Sequence, residues 1–171
     1  TNLIQPDQGE ILINKFKIDN EKIFQNSIGY IPQFIYILND TLKANIAFRE
    51  SEKTIDENKI DEVVKKSMLQ DLVKQLPNGI NSEIDEMGYN LSGGQIQRIG
   101  ISRVLYENPT VIIFDEATNS LDQHSESEIM KIINEIKTDK IIIFISHKIE
   151  LLNQHFDDIY ELREGSLFKK N

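Results

Sequence analysis

Two short apolar runs, VIIFDE (111–116) and KIIIFISH (140–147), flank a segment in which Ile129, Ile132, Ile133 and Ile136 recur at i, i+3, i+4 and i+7. The runs are apolar at successive positions, as strands buried on both faces are, whereas the segment between them (125–137) has one apolar face and predicts a helix. Strand, helix, strand of this kind predicts an α/β fold with a mostly parallel sheet covered on both faces. At 171 residues the chain is the length of one domain with a sizeable core.

The rest of the chain can be read around that unit. GEILINKFKI (9–18) and SIGYIPQ (27–33) read as strands, the second closed by Pro32. From about Thr41 to Met68 the pattern is helical, with Ile60, Val63, Val64 and Ser67 on one face. LPNG (76–79) is a turn. Ser92 is a candidate N-cap for a helix to about Glu107, stopped by Asn108-Pro109. DDIYELREGSLFK (157–169) predicts a hairpin around Glu164-Gly165.

In open parallel sheets, binding sites form at the carboxyl ends of the strands. Gln33, Asp115-Glu116 and Ser146-His147 each follow a predicted strand at that end. Asp115 and Glu116 are costly to bury unpartnered. Adjacent acids there suit a Mg2+ ligand beside a carboxylate that orients or deprotonates water; they are also compatible with a merely solvated strand end. His147 could donate to phosphate oxygen or be an ordinary surface histidine. Gln33 could bind Mg2+ or the attacking water through its amide oxygen, or be an ordinary polar strand end. His124 and His155 lie in polar contexts and read as structural.

The net charge of −9 argues against a nucleic-acid surface. Without cysteine the chain has neither disulfides nor thiolate metal sites. No apolar run approaches the roughly 18 residues of a membrane span. The first residue is Thr1, so the sequence reads as a piece of something longer.

NLSGGQIQR (90–98) places a serine and two glycines at a predicted helix start, where free N–H groups and the helix dipole favour an anion. Yet no Gly-Lys pair, the heart of a phosphate-binding P-loop, occurs in the chain. In order, YIPQ (30–33), LSGGQ (91–95), VIIFDE (111–116), NSLD (119–122) and ISH (145–147) resemble the Q-loop, signature, Walker B, D-loop and switch histidine of an ABC transporter nucleotide-binding domain. DTLKANIAF (40–48) and SEIDEMGYNLSGGQ (82–95) resemble exporter segments. In the second, Ser82, Asp85 and Met87 stand where the exporter pattern has Thr, Gly and often Arg. Pro6-Asp7-Gln8-Gly9-Glu10-Ile11 resembles the element that follows the Walker A helix.

The resemblance implies a P-loop NTPase-like (RecA-like) core over 1–34 and 109–171, with a helical subdomain inserted at 35–108. That core would be incomplete, because no Walker A loop lies in the chain. It implies that two such domains enclose ATP head to tail. Leu91, Ser92, Gly93, Gly94 and Gln95 would then cover the partner's nucleotide. Asp115 and Gln33 would hold Mg2+, Glu116 would act on water, His147 would meet the γ-phosphate, and Ser120 and Asp122 would relay contacts between sites. A transmembrane domain would dock in the groove between Q-loop and helical subdomain, with Phe34, Tyr36 and Ile37 as candidate contacts or core residues. The implied place is the cytoplasmic face of a membrane. The implied activity is ATP hydrolysis coupled to export or flipping, the compound being open between lipid-linked saccharide, peptide and drug. The 171 residues alone would bind ATP poorly, hydrolyse it negligibly and expose core surface. The rivals are a soluble ATPase of this class acting on nucleic acid or ribosomes, and an inactive partner half-domain.

Overall fold

The computed structural model describes residues 7–10, 12–13, 16–17, 27–48, 50, 53–84 and 91–170. At its centre three strands run parallel in the order β3 (Ile28–Ile31), β6 (Val111–Asp115) and β7 (Ile141–Ile145). Their register aligns Ile28, Val111 and Ile141 in one row and Ile31, Phe114 and Phe144 in another. Parallel neighbours need crossovers, and the β6–β7 crossover is the helix expected from the isoleucine spacing, α5 (Gln123–Ile136). Its Ile129, Ile132, Ile133 and Ile136 are all buried.

The expectation of a sheet covered on both faces holds for one face only among the described residues. Gly29, Ile31, Ile112 and Phe114 are buried, whereas Tyr30, Ile141, Ile143 and Ile145 on the other face are exposed. Alternation along a strand sends successive side chains to opposite faces, so one set of apolar residues meets helices and the next does not.

Helix α4 (Gly93–Glu107) is the hub, packing against β3, α5, α1 (Leu42–Ile46) and α2 (Glu57–Lys66). Neighbours on several sides explain why Ile99, Ile101, Val104, Leu105 and Tyr106 are all buried instead of forming a single stripe. Its approach to the sheet is close: a Cβ on Gly29 would stand 2.2 Å from Val104 Cγ1 and 2.8 Å from Pro109 Cγ. The helix starts at Ser92 and ends at Asn108 in the left-handed region (φ 53°), as the local sequence predicts.

The helical stretch expected over 41–68 is two helices, because two caps interrupt it. Thr41 Oγ1 accepts from Ala44 N to start α1, and Asp56 Oδ1 accepts from Asn58 N and Lys59 N to start α2. The face of α2 is as expected, with Ile60, Val63, Val64 and Ser67 buried. A third short helix, α3 (Gln70–Gln75), leads into the 76–79 turn and a 3-10 turn, Gly79–Asn81. The two-residue strands β4 (Asp40–Thr41) and β5 (Glu83–Ile84) then tie the start and end of this helical stretch together.

Asn45, fully buried, knits α1 to its surroundings. Its Nδ2 donates to Leu38 O and Thr41 O at 3.0 Å each, and its Oδ1 accepts from Leu38 N at 2.8 Å and Arg103 Nη2 at 2.7 Å. Burial pulls the Arg103 guanidinium down to about 10, far enough above neutrality to leave it charged, and Asn45 O accepts a further bond from its Nε. Asn45→Ala is expected to destabilise the protein by about 2 kcal/mol, since it leaves the half-buried Leu38 N–H and part of the half-buried Arg103 guanidinium without a partner. An unfolding midpoint in urea unchanged from the parent would contradict that.

At the N-terminal side, 9–18 is not one strand. β1 (Leu12–Ile13) instead pairs antiparallel with β2 (Phe16–Lys17). The expected strand at 27–33 is β3, which ends before Pro32. At the C-terminal side, α6 (Ile149–His155) follows β7; nothing in its seven residues carries a side-chain cap, and its sequence did not signal it. The hairpin β8 (Ile159–Arg163) and β9 (Ser166–Lys170) turns at Glu164-Gly165, both with positive φ (47° and 77°).

Candidate functional site

The parallel sheet brings three of the predicted strand ends to one edge. A cavity of about 400 Å3 there is lined by Tyr30, Pro32, Gln33, Phe34, Asp115 and Glu116. Asp115 closes β6, and its Oδ2 accepts a 2.7 Å hydrogen bond from Tyr30 Oη, which raises the tyrosine's pKa above its ordinary value by favouring the protonated phenol. Sequence reasoning did not single out Tyr30. The alternation that sends Tyr30 and Asp115 to the same sheet face was the available signal, but only the strand order makes them neighbours.

Glu116 leaves the strand with φ 52°, a left-handed conformation uncommon for a residue with a side chain. Its N–H donates to Ile145 O at 3.1 Å and its carbonyl accepts from Asn119 N at 3.1 Å. These bonds turn the chain sharply at the seam between β6 and β7. The carboxylate thereby reaches His147, with Oε1 2.8 Å from Nε2. His147 is otherwise open to solvent, so this pair is an accessible one. The next residue, Lys148, bridges back to α5 through an ion pair with Glu126 and lies within 3.4 Å of Thr118 O.

Leu91, Ser92, Gly93, Gly94 and Gln95 do not line this cavity. They form the start of α4, where Ser92 Oγ accepts from Gln95 N (3.2 Å) while Gln95 Oε1 accepts from Ser92 N (2.8 Å). This reciprocal cap satisfies two backbone donors. Ser92 and Gly93 remain exposed and Gly94 is buried. A side chain of the same helix reaches the other site: Gln97 Nε2 donates to Pro32 O at 3.2 Å, beside Gln33. Ser120 is exposed, and Asp122 is the exposed N-cap of α5, its pKa lowered by bonds from Ser125. Of the remaining histidines, His124 stands 3.8 Å from Glu128 and His155 Nδ1 3.2 Å from Asn134 Nδ2.

Of the candidate docking residues, Phe34 and Tyr36 are exposed but Ile37 is 2% exposed and belongs to the core. The chain alternates through 34–37, so only the first and third of these side chains face outward. Phe34, Tyr36, Phe48 and Arg103 line a groove of about 680 Å3 between the sheet edge and α4. Among the described residues no helix is long and apolar enough to cross a membrane.

The donor set at the sheet edge suits a small hard cation. One carboxylate and one amide oxygen at a cavity are what Mg2+ takes when water and phosphate supply its other ligands. Among the described residues no group of three or more acids and histidines forms a denser metal cage.

A family model for ABC transporters matches residues 1–119. The chain is 34% identical over 170 residues to ATP-dependent lipid A-core flippase 2 of Colwellia psychrerythraea, covering 98% of this chain and 29% of the relative. It is 35% identical over 170 residues to the ATP-dependent lipid A-core flippase of Coxiella burnetii, covering 99% of this chain and 28% of the relative. Among solved structures, a bacterial Atm1-family ABC exporter with ATP bound matches with a TM-score of 0.81 at 31% identity, over 94% of this chain and 28% of that one. The chain thus spans less than a third of the length of these relatives.

Proposed function

This chain belongs to the ABC transporter family, and from that premise we propose that it is part of the ATP-hydrolysing engine of a membrane exporter. The observation that carries the reading is the Glu116–His147 pair, held by a left-handed turn at the carboxyl edge of a parallel sheet beside Asp115 and Gln33. Bound Mg2+ would supply charge neutralisation for phosphoryl transfer. Asp115 and Gln33 would hold it, and because the Tyr30 bond engages only Oδ2 of Asp115, Oδ1 would be the oxygen offered to the ion. Glu116 orients or deprotonates the attacking water, and His147 donates to the terminal phosphate while fixing the Glu116 carboxylate. Ser92 and Gly93, exposed at a capped helix start, offer donors to an anion presented from outside the chain, in keeping with a second domain of the same kind holding that nucleotide.

The helical part spans 35–108 in this reading, with 1–34 and 109–171 in the ATP-binding core. In the same reading the groove beside Phe34, Tyr36 and Phe48 receives a transmembrane domain, and the chain works on the cytoplasmic side of the membrane. These three exposed aromatics are the kind of anchor that such a contact uses. The flippase and exporter names of the relatives support export over action on nucleic acid, as does the net charge of −9.

The test is Mg2+-dependent ATP hydrolysis by the purified full-length gene product. Asp115→Asn is expected to raise the Mg2+ concentration for half-maximal rate by about tenfold or more, since one charge leaves the ion's ligand set. A full-length protein without ATPase activity would overturn the reading, and an unchanged Mg2+ dependence would remove Asp115 from its role.

A further inference from the structure

Glycines at an anion-facing helix start are readily explained by the room a ligand needs. In this chain the space beside both glycines is instead taken by the segment that follows β6. A Cβ on Gly93 would stand 3.3 Å from Leu121 Cδ2, and one on Gly94 would stand 2.5 Å from Ser125 Oγ and 2.7 Å from Ser125 Cβ. The second approach is closer than real side chains tolerate, so Gly94 is the only residue that leaves Ser125 where it is. Ser125 is buried, and both of its polar groups go to Asp122: Oγ donates to Oδ2 at 3.0 Å and the backbone N to Oδ1 at 2.9 Å. One turn further along, the buried Arg98 of α4 pairs with Glu128 of α5.

We propose that Ser125 is a positioning residue that wedges the 119–122 loop against the start of α4, so that the signature-like segment 91–95 and the 119–122 loop move as one body. With both carboxylate oxygens engaged by Ser125, Asp122 sets the loop's orientation instead of reaching for a ligand. Close-packed contacts of this kind shift between discrete arrangements and do not stretch. A disturbance at 119–122 therefore reaches the Ser92 and Gly93 donors through Ser125 and Gly94 within the same chain. The consequence for turnover rests on the ATPase reading above, whereas the mechanical contact does not.

A double-mutant cycle in the full-length gene product separates the two. ATP turnover and amide hydrogen exchange without nucleotide are measured for the parent, Gly94→Ala, Ser125→Gly and the double variant, with Glu116→Gln as the control for the ATPase reading. Gly94→Ala is expected to lower kcat about tenfold and to speed exchange of the 119–126 amides, yet to change either by less than about twofold once Ser125→Gly has emptied the space. Equal effects of Gly94→Ala in both backgrounds would overturn the proposal, because Gly94 would then act on the phosphate directly. If the parent has no ATPase activity, or Glu116→Gln leaves it intact, the ATPase reading fails and the exchange cycle alone decides on the contact. Should Gly94→Ala not fold, Ser125→Ala serves instead: faster exchange at both 119–122 and 92–95 supports the wedge, and exchange that is unchanged or altered at 119–122 alone overturns it.

Discussion

Glu116→Gln in the full-length gene product is expected to lower kcat for ATP by about 10²-fold to 10⁴-fold while nucleotide binding persists, the loss typical of a general base. The substitution is nearly isosteric, and the backbone bonds that hold position 116, donated to Ile145 O and accepted from Asn119 N, do not involve the side chain. The glutamine oxygen can still accept from His147 Nε2, so the geometry of the pair survives while the basicity does not. The change therefore isolates charge from shape. Single-turnover hydrolysis at saturating Mg2+-ATP, alongside an equilibrium nucleotide-binding measurement, provides the readout. Turnover within a few-fold of the parent would show that Glu116 is no base and that the strand-end pair is structural.

Phe114→Ala is expected to destabilise the chain by about 3–5 kcal/mol, the cost of truncating a fully buried phenylalanine, and Ile143→Ala by less than about 1 kcal/mol. The contrast lies between the two faces of one sheet. Phe114 is wholly buried and its ring centroid is 5.8 Å from that of Phe144, which stacks in turn on Phe156 at 5.0 Å. Removing it opens a cavity in the core beside Phe144 and withdraws one member of an aromatic cluster that runs from the sheet to the residue after α6. Ile143 points the other way and is 46% exposed, so its truncation removes little that is out of water. Urea unfolding of the 171-residue chain measures both; similar losses at the two positions would mean that the open face is covered in solution.

Much of the local architecture was legible because its causes are local. Ser92 and Gln95 lie three residues apart and cap each other, Asn108 supplies the left-handed exit, and α4 begins and ends where those residues say. The same holds for the Glu164-Gly165 turn and for the isoleucine stripe of α5. The short elements were harder: α6 has no cap, the antiparallel pairing within 9–18 hides in a continuous apolar pattern, and the caps at Thr41 and Asp56 break a stretch that periodicity joined.

The candidate site divides in the same way. Gln33, Asp115, Glu116 and His147 could be placed at strand ends from apolar runs alone, because a parallel sheet aligns the carboxyl ends of its strands. Tyr30 and Asp115 are 85 residues apart, and Arg103 meets Asn45 across 58. No spacing rule reaches that far, so these partners emerge only once strand order and helix packing are known.

What the sequence determined by itself, then, were the α/β class, the hub helix with its cap, and the residue types offered at each strand end, all consequences of period and of neighbours within a few residues. The tertiary structure alone decided which sheet face is covered, which oxygen of Asp115 is engaged, and why Gly94 and Ser125 exclude any larger side chain between them. Those outcomes depend on distances between segments remote in the chain, and close packing fixes them to fractions of an ångström that no residue pattern encodes.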